Sequence, residues 1–274
     1  MNFKKFNIDF SYRDINDIDL LKSTIKKNTK IIYFETPTNP LLQIVDISII
    51  SSISKENEII SIIDNTFASP INQNPINFGI DLVIHSATKY LGGHSDILAG
   101  SVSGTKEHVE KIKKSGINYG ANLSDYTVWL LERSIKTLSV RVNAQNQNAL
   151  DLAKFLEESP LIKKVYYPGL KNHLSHEIAS RQMNGFGGMM SFEVIDKINS
   201  EDFVSDLKII SPTMSLAGVE SSITSPSKTS HKKVDPKIRK KLGISDNLLR
   251  FSVGIEDIED LMLDLDKSLK NNVR

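Results

Sequence analysis

Apolar positions in the first hundred residues come in short runs, each ended by polar residues. Ile31-Ile32-Tyr33-Phe34 stops at Glu35 and the turn-like Thr36-Pro37-Thr38-Asn39-Pro40. Glu58-Ile59-Ile60-Ser61-Ile62-Ile63 stops at Asp64, Asp81-Leu82-Val83-Ile84 stops at His85, and Ser101-Val102-Ser103 is a further, weaker run. Between the first two, Ile47, Ile50 and Ile53 recur at helical spacing. Short apolar strands separated by helices predict a parallel sheet buried on both faces. From 123 to about 156 the period turns helical, with Trp129, Leu130, Leu131, Ile135 and Leu138 on apolar faces, as one long helix or a broken pair. Strand candidates follow at 164–167, 189–194 and 249–253. A closing helix then carries Ile258, Leu261, Met262, Leu265 and Leu269 on one stripe. Glu256, Asp257, Glu259 and Asp260 crowd its start, where the helix dipole favours acids. The whole pattern predicts an α/β protein, with a mostly parallel large domain over 1–147 and a smaller α+β domain over 148–274.

Composition narrows the chemistry. At 274 residues and 39% hydrophobic, the chain can bury a core, and its net charge of +1 supplies no field for nucleic acid or membrane. There is no cysteine, which removes disulfides, thiol catalysis and thiolate zinc sites and fits a reducing cytoplasm. No apolar stretch reaches membrane-spanning length, and the opening MNFKKFNIDFSYRD lacks the pattern of a secretory signal. The basic residues of 228–241 have no interleaved aromatics to stack bases, so they read as a solvated loop and helix face.

The polar residues that end the strands lie where open α/β sheets place ligands. His85-Ser86-Ala87-Thr88-Lys89-Tyr90-Leu91-Gly92-Gly93-His94 sets a lysine after a strand, between hydroxyls and glycines. Such a lysine suits Schiff-base chemistry if desolvation or a second cation keeps its amine neutral, and Ser86 and Thr88 could bond a phosphate. Taken alone, a solvated loop lysine is the commoner case. Asp64 ends an apolar strand and could pair with a pyridine nitrogen, which makes the ring an electron sink; taken singly, an aspartate capping a turn is the better bet. Arg250, inside Leu248-Leu249-Arg250-Phe251-Ser252, is costly to bury without an anion. A substrate carboxylate is one bidentate partner, and an internal salt bridge to a nearby acid, or simple exposure on an edge strand, is an even alternative. Gly185-Phe186-Gly187-Gly188-Met189-Met190 misses the last glycine of a dinucleotide fingerprint, and His176-Glu177-Ile178-Ala179-Ser180 lacks a zincin's second histidine.

In this order the pieces resemble the Cys/Met-metabolism enzymes that use pyridoxal 5'-phosphate (PLP), among them cystathionine γ-synthase, cystathionine γ- and β-lyases, O-acetylhomoserine sulfhydrylase and methionine γ-lyase. The resemblance runs from Glu35-Thr36-Pro37-Thr38-Asn39-Pro40 through Asp64-Asn65-Thr66-Phe67 and 81–100. It continues through Arg181-Gln182, 185–189 and Ser215-Leu216-Ala217-Gly218-Val219-Glu220-Ser221 to 250–257. It implies the fold-type-I PLP-transferase architecture, usually a homotetramer of dimers, and a small amino-acid substrate. It implies that Lys89 holds the cofactor and moves protons and that Asp64 faces the pyridine nitrogen. Ser86 and Thr88 would bind the phosphate, Asn39 would lie near the ring hydroxyl and substrate, and Ser215 and Arg250 would anchor the substrate. Cystathionine γ-synthase or γ-lyase chemistry is the first expectation, and a sulfhydrylase or methionine γ-lyase the alternative. Two departures qualify this. Relatives carry roughly a hundred further residues ahead of the point matching Met1, by resemblance and domain size. Those residues supply a phosphate turn, a stacking tyrosine and a tyrosine–arginine pair, and Tyr12-Arg13 is too close to Glu35 to be that pair. A fragment without activity, or one half of a split enzyme, is therefore a further alternative. Met214 also stands where members acting at the γ position often carry an acid, which leaves the leaving group open.

Overall fold

The computed structural model describes residues 3–14 and 16–274. Two sheets organise it. The first contains β1 (Ile31–Glu35), β2 (Ile60–Asp64), β3 (Leu82–Ser86) and β4 (Gly100–Gly104), in that order. β1, β2 and β3 run parallel and β4 closes antiparallel on β3. The second contains β5 (Ile162–Tyr166), β6 (Met189–Val194), β7 (Ser222–Thr224) and β8 (Leu248–Ser252) in the order β5-β6-β8-β7, all antiparallel.

Between β1 and β2 runs the helix Ile47–Glu56, begun by Asp46, whose carboxylate accepts from Ser48 N and Ile49 N. Its buried Ile47, Ile50 and Ile53 pack on Ile32, Phe34, Ile63 and Val83 of the sheet. This is the periodicity read from the sequence, three or four residues on the helix against every second residue on the strand. The opposite face differs from expectation. Ile31 and Tyr33 of β1 are 52% and 58% exposed, so among the described residues the sheet is buried on one face and half-open on the other. The strands are apolar on both sides, but helices cover only one of them.

The long helical stretch is a broken pair, Asp125–Ile135 and Leu138–Glu158. Arg141 stabilises the break. Its guanidinium donates to Ser134 O (3.0 Å), Thr137 Oγ1 (3.1 Å) and Tyr90 O (2.9 Å). The second helix of the pair and the closing helix Ile258–Asn271 cover the second sheet. Leu152, Leu156, Phe192, Phe251, Leu261 and Leu265 are all fully buried there. Fully burying a leucine or phenylalanine contributes about 1.5–3 kcal/mol, and this cluster is the firmest part of the molecule. The closing helix also carries the buried Asp264, which accepts Lys208 N, Ile209 N and Ile210 N (2.9, 2.9 and 3.1 Å) and fixes the loop ahead of β7. β7 escaped sequence reading, because Ser222-Ile223-Thr224 is too short for any alternation to register.

Candidate active site

The sheet register sets one face of the site. Glu35 pairs with Asp64 and Asp64 with Ile84, so Glu35, Asp64 and, two residues beyond Ile84, Ser86 rise from the same face at the carboxyl ends of β1, β2 and β3. Thr66 joins the last two strand ends. Its N–H donates to Asp64 Oδ1 (2.9 Å) and its Oγ1 accepts Ser86 N–H (2.8 Å). Asp64 therefore does cap a turn, and it also presents a carboxylate on the open face. Beneath it, Asn65 Nδ2 meets His85 Nε2 at 3.1 Å and Gln73 O at 2.9 Å in a buried polar layer. Burial pushes the His85 imidazole down, and the charge of Asp64 partly offsets this.

Lys89 follows β3 in a turn closed by Lys89 N→Ser86 O (3.0 Å) and Gly93 N→Lys89 O (2.7 Å). Gly93 takes φ +71°, and a Cβ there would collide with the Arg141 guanidinium, so the turn requires glycine. Among the described residues no acceptor meets the Lys89 amine. Desolvation lowers its pKa first, and the positive charge of Arg250 lowers it further. Those are the two conditions that make a lysine amine nucleophilic.

Arg250 is 4% exposed in the middle strand β8. It donates to Met214 O (2.8 Å), Ser215 O (3.4 Å) and Asn39 Oδ1 (3.3 Å), while its Nε has no partner among the described residues. No carboxylate pairs with it there. Burial pushes its guanidinium down to about 10. The internal salt bridge that the sequence left open is thus not what the described residues form. Asn39 is held in turn by Glu35, whose Oε1 accepts Asn39 N–H (3.0 Å). The Glu35 carboxyl is raised by desolvation, against that bond, and further by the Asp64 charge.

The structure links five of the expected residues into one circuit, from Asp64 past Glu35 to Asn39, Arg250 and Lys89, and back through Ser86 and Thr66. Ser215 enters through its backbone carbonyl. Thr88 is differently placed, because its hydroxyl donates to Ala99 O (3.3 Å) and accepts Ala99 N–H (3.0 Å). Its proton is thus committed to the backbone, while Ser86 keeps its hydroxyl free of internal partners among the described residues. Sequence reasoning missed Glu35 and Thr66 as supports. Thr66, two residues after a strand-end aspartate, carries the spacing of an Asx turn, whereas nothing local marks Glu35. Met214, 66% exposed, meets Arg250 through its backbone carbonyl.

The donor set fits a PLP group: among the described residues, an amine and a hydroxyl without internal partners, a carboxylate at a neighbouring strand end, and a buried guanidinium with an unpartnered N–H. Comparison with known proteins agrees. The sequence profile of the family described as "Cys/Met metabolism PLP-dependent enzyme" matches residues 1–270. The chain is 47% identical over 267 residues to a cystathionine beta-lyase of Lactococcus lactis subsp. cremoris (strain MG1363), covering 97% of this chain and 70% of that one. It is 43% identical over 268 residues to a cystathionine gamma-lyase of Bacillus subtilis (strain 168), covering 97% and 71%. The crystal structure of cystathionine gamma-lyase from Lactobacillus plantarum complexed with L-serine superposes with a TM-score of 0.95 at 41% identity, over 98% of this chain and 71% of that one.

Proposed function

The chain belongs to the Cys/Met-metabolism family of PLP-dependent enzymes, and on that premise we propose that it acts as a cystathionine lyase, with Lys89 as its reactive amine. The observation that carries this is Arg250. A buried guanidinium whose Nε has no partner and which has no carboxylate beside it among the described residues is costly unless an anion from outside completes it, and its charge also lowers the pKa of the Lys89 amine. An amino-acid carboxylate on Arg250 sets the substrate's α-carbon toward Lys89.

The cofactor supplies an electron sink for the carbanion formed when the α-proton leaves. The protein's own residues do the rest. Lys89 Nζ would hold the cofactor and accept the α-proton, Asp64 would pair with the ring nitrogen, and Ser86, with Thr88 oriented beside it by Ala99, would bind the phosphate. Asn39 and the Ser215 carbonyl keep the Arg250 fork in place, so that the reacting bonds are held in one geometry. The division of the chain near 147/148 falls inside the helix Leu138–Glu158, which joins the sheet bearing Lys89 and Asp64 to the sheet bearing Arg250.

Purified protein supplied with PLP and L-cystathionine tests the reading and fixes its finer form. Pyruvate and homocysteine report β-cleavage, and 2-oxobutanoate and cysteine report γ-cleavage. O-acylated homoserine or methionine as the only working substrate would move the activity to a sulfhydrylase or methionine lyase. Absence of every product, with no absorbance of lysine-bound PLP, would overturn it in favour of a chain without catalysis of its own. Self-association belongs to the same proposal. Tyr126 and Trp129 are both exposed with their rings stacked at 6.0 Å, and that apolar pair suits contact with a second copy of the chain. Sedimentation measures it directly. The setting we assign is the cytoplasm; among the described residues no helix is long and apolar enough to cross a membrane.

A further inference from the structure

The open face of the first sheet holds a side chain that the reading above does not use. β1 alternates, with Ile32 and Phe34 packed in the core and Ile31, Tyr33 and Glu35 on the other side. Tyr33 pairs with Ile62 and Glu35 with Asp64, which makes Tyr33 a diagonal neighbour of Asp64 on one face, within reach of a long aromatic side chain. The reach is realised, since Tyr33 OH donates to Asp64 Oδ2 at 3.4 Å. Thr66 N–H holds the other oxygen, Oδ1, at 2.9 Å.

A carboxylate at a strand end can swivel about its last torsion, which is broad and roughly two-fold. One hydrogen bond leaves that rotation loose, whereas one on each oxygen fixes the plane. A carboxylate that must meet a ring nitrogen in line gains from a fixed plane, because only the lone pairs left over are then available to the ring. Apolar packing does not explain a tyrosine here. Its ring is 58% exposed, and its neighbour on that face, Ile31, presents no polar atom. We propose that Tyr33 is a positioning residue for Asp64, whose hydroxyl, together with the Thr66 N–H, clamps the carboxylate in the orientation that receives the cofactor's pyridine nitrogen. The proposal rests on Asp64 being the partner of that nitrogen. The phenol itself responds to this neighbourhood. Its ionisation is pushed up to about 12, by desolvation first and then by the charges of Asp64 and Glu35 and the bond to Asp64.

Two measurements test it, and neither is an activity. The first is PLP titration followed by the absorbance of the lysine-bound cofactor, on the wild-type chain, Tyr33→Phe and the control Ile31→Ala. Tyr33→Phe keeps the ring and loses the donor. It should weaken PLP binding about three- to tenfold, the range for an ordinary, partly exposed hydrogen bond, with an unchanged melting temperature. Ile31→Ala should leave binding alone. Equal binding by wild type and Tyr33→Phe, or equal weakening by Ile31→Ala, overturns the proposal and leaves the functional reading standing. The second is spectrophotometric titration of the phenols without PLP. Asp64→Asn should return one phenol partway toward pH 10, and that phenol should be missing from Tyr33→Phe. If Asp64→Asn moves no phenol, the clamp does not exist. Should the wild type fail to take up PLP at all, the functional reading fails first and the proposed role of Tyr33 fails with it, even if the phenol titration shows the contact.

Discussion

Arg141 and Arg250 are equally buried, each 4% exposed, and among the described residues neither has a carboxylate beside it. Their surroundings differ completely. Every nitrogen of Arg141 donates, to Tyr90 O, Ser134 O and Thr137 Oγ1, and the residue ties the turn after Lys89 to the break between two helices. Arg250 donates to two carbonyls and the Asn39 amide oxygen and leaves Nε unpaired. The first charge is completed by the fold, and the second waits for an anion. Burial, residue type and even the number of hydrogen bonds, three for each, therefore do not separate a structural arginine from a functional one; the nitrogen left without an acceptor does.

Substitutions can break this contrast. The largest effect is expected beside Arg250, at the amine whose pKa it lowers. Lys89→Ala should abolish the absorbance of lysine-bound PLP and lower turnover by roughly 10²–10⁴-fold or more, measured with cystathionine at saturation. Arg250→Met comes next. Losing one partner of a charge pair costs about 2–5 kcal/mol, so kcat/KM should fall at least about thirtyfold. Thermal stability should hold or rise, because an unfinished buried cation is removed. Arg141→Met should do the reverse. It strands the Tyr90 carbonyl, while Ser134 O keeps Thr137 as a donor, and a denaturant melt would read this as a loss of about 1–3 kcal/mol. If Arg250→Met unfolds the protein, or Arg141→Met spares it, the contrast fails.

The smallest effect concerns His173, near the chain that leads away from Asn39. Its pKa is lowered to about 4, by desolvation first and by Lys164 and His176, with a backbone bond at Leu41 opposing. Between pH 4 and 6.5 the unfolded chain binds more protons than the folded one, so stability falls as pH drops through that window. His173→Asn should flatten this limb of a plot of melting temperature against pH by a few degrees at most.

Much of the fold was legible because alternation and helical spacing are local. Ile32, Phe34 and Ile63 against Ile47, Ile50 and Ile53 can be read before any coordinates exist, as can the stripe from Ile258 to Leu269. Coverage of the sheet was not legible. The same apolar run serves a strand buried on one side or both, and only the placement of helices tells Tyr33 from Phe34. At the site, Lys89, Asp64 and Arg250 are conspicuous because their side chains are chemically expensive where they stand. The hydroxyls of Ser86 and Thr88 stand differently, since Ser86 has no internal partner for its hydroxyl among the described residues while Thr88 turns back onto Ala99, eleven residues away, a contact that no local pattern announces. Glu35 was equally hidden, since its partners Asn39 N–H and the Asp64 charge meet only once β1 and β2 lie side by side.

That position of Glu35 has a consequence for any pH–rate curve. Its carboxyl grips the support of Arg250 through Asn39 while feeling the charge at Asp64. Its proton is held to higher pH than an ordinary glutamate's, and protonation there loosens the grip on Asn39. Removing Glu35 would therefore release Asn39 and the Arg250 fork at every pH, a wider disturbance than the loss of one surface acid.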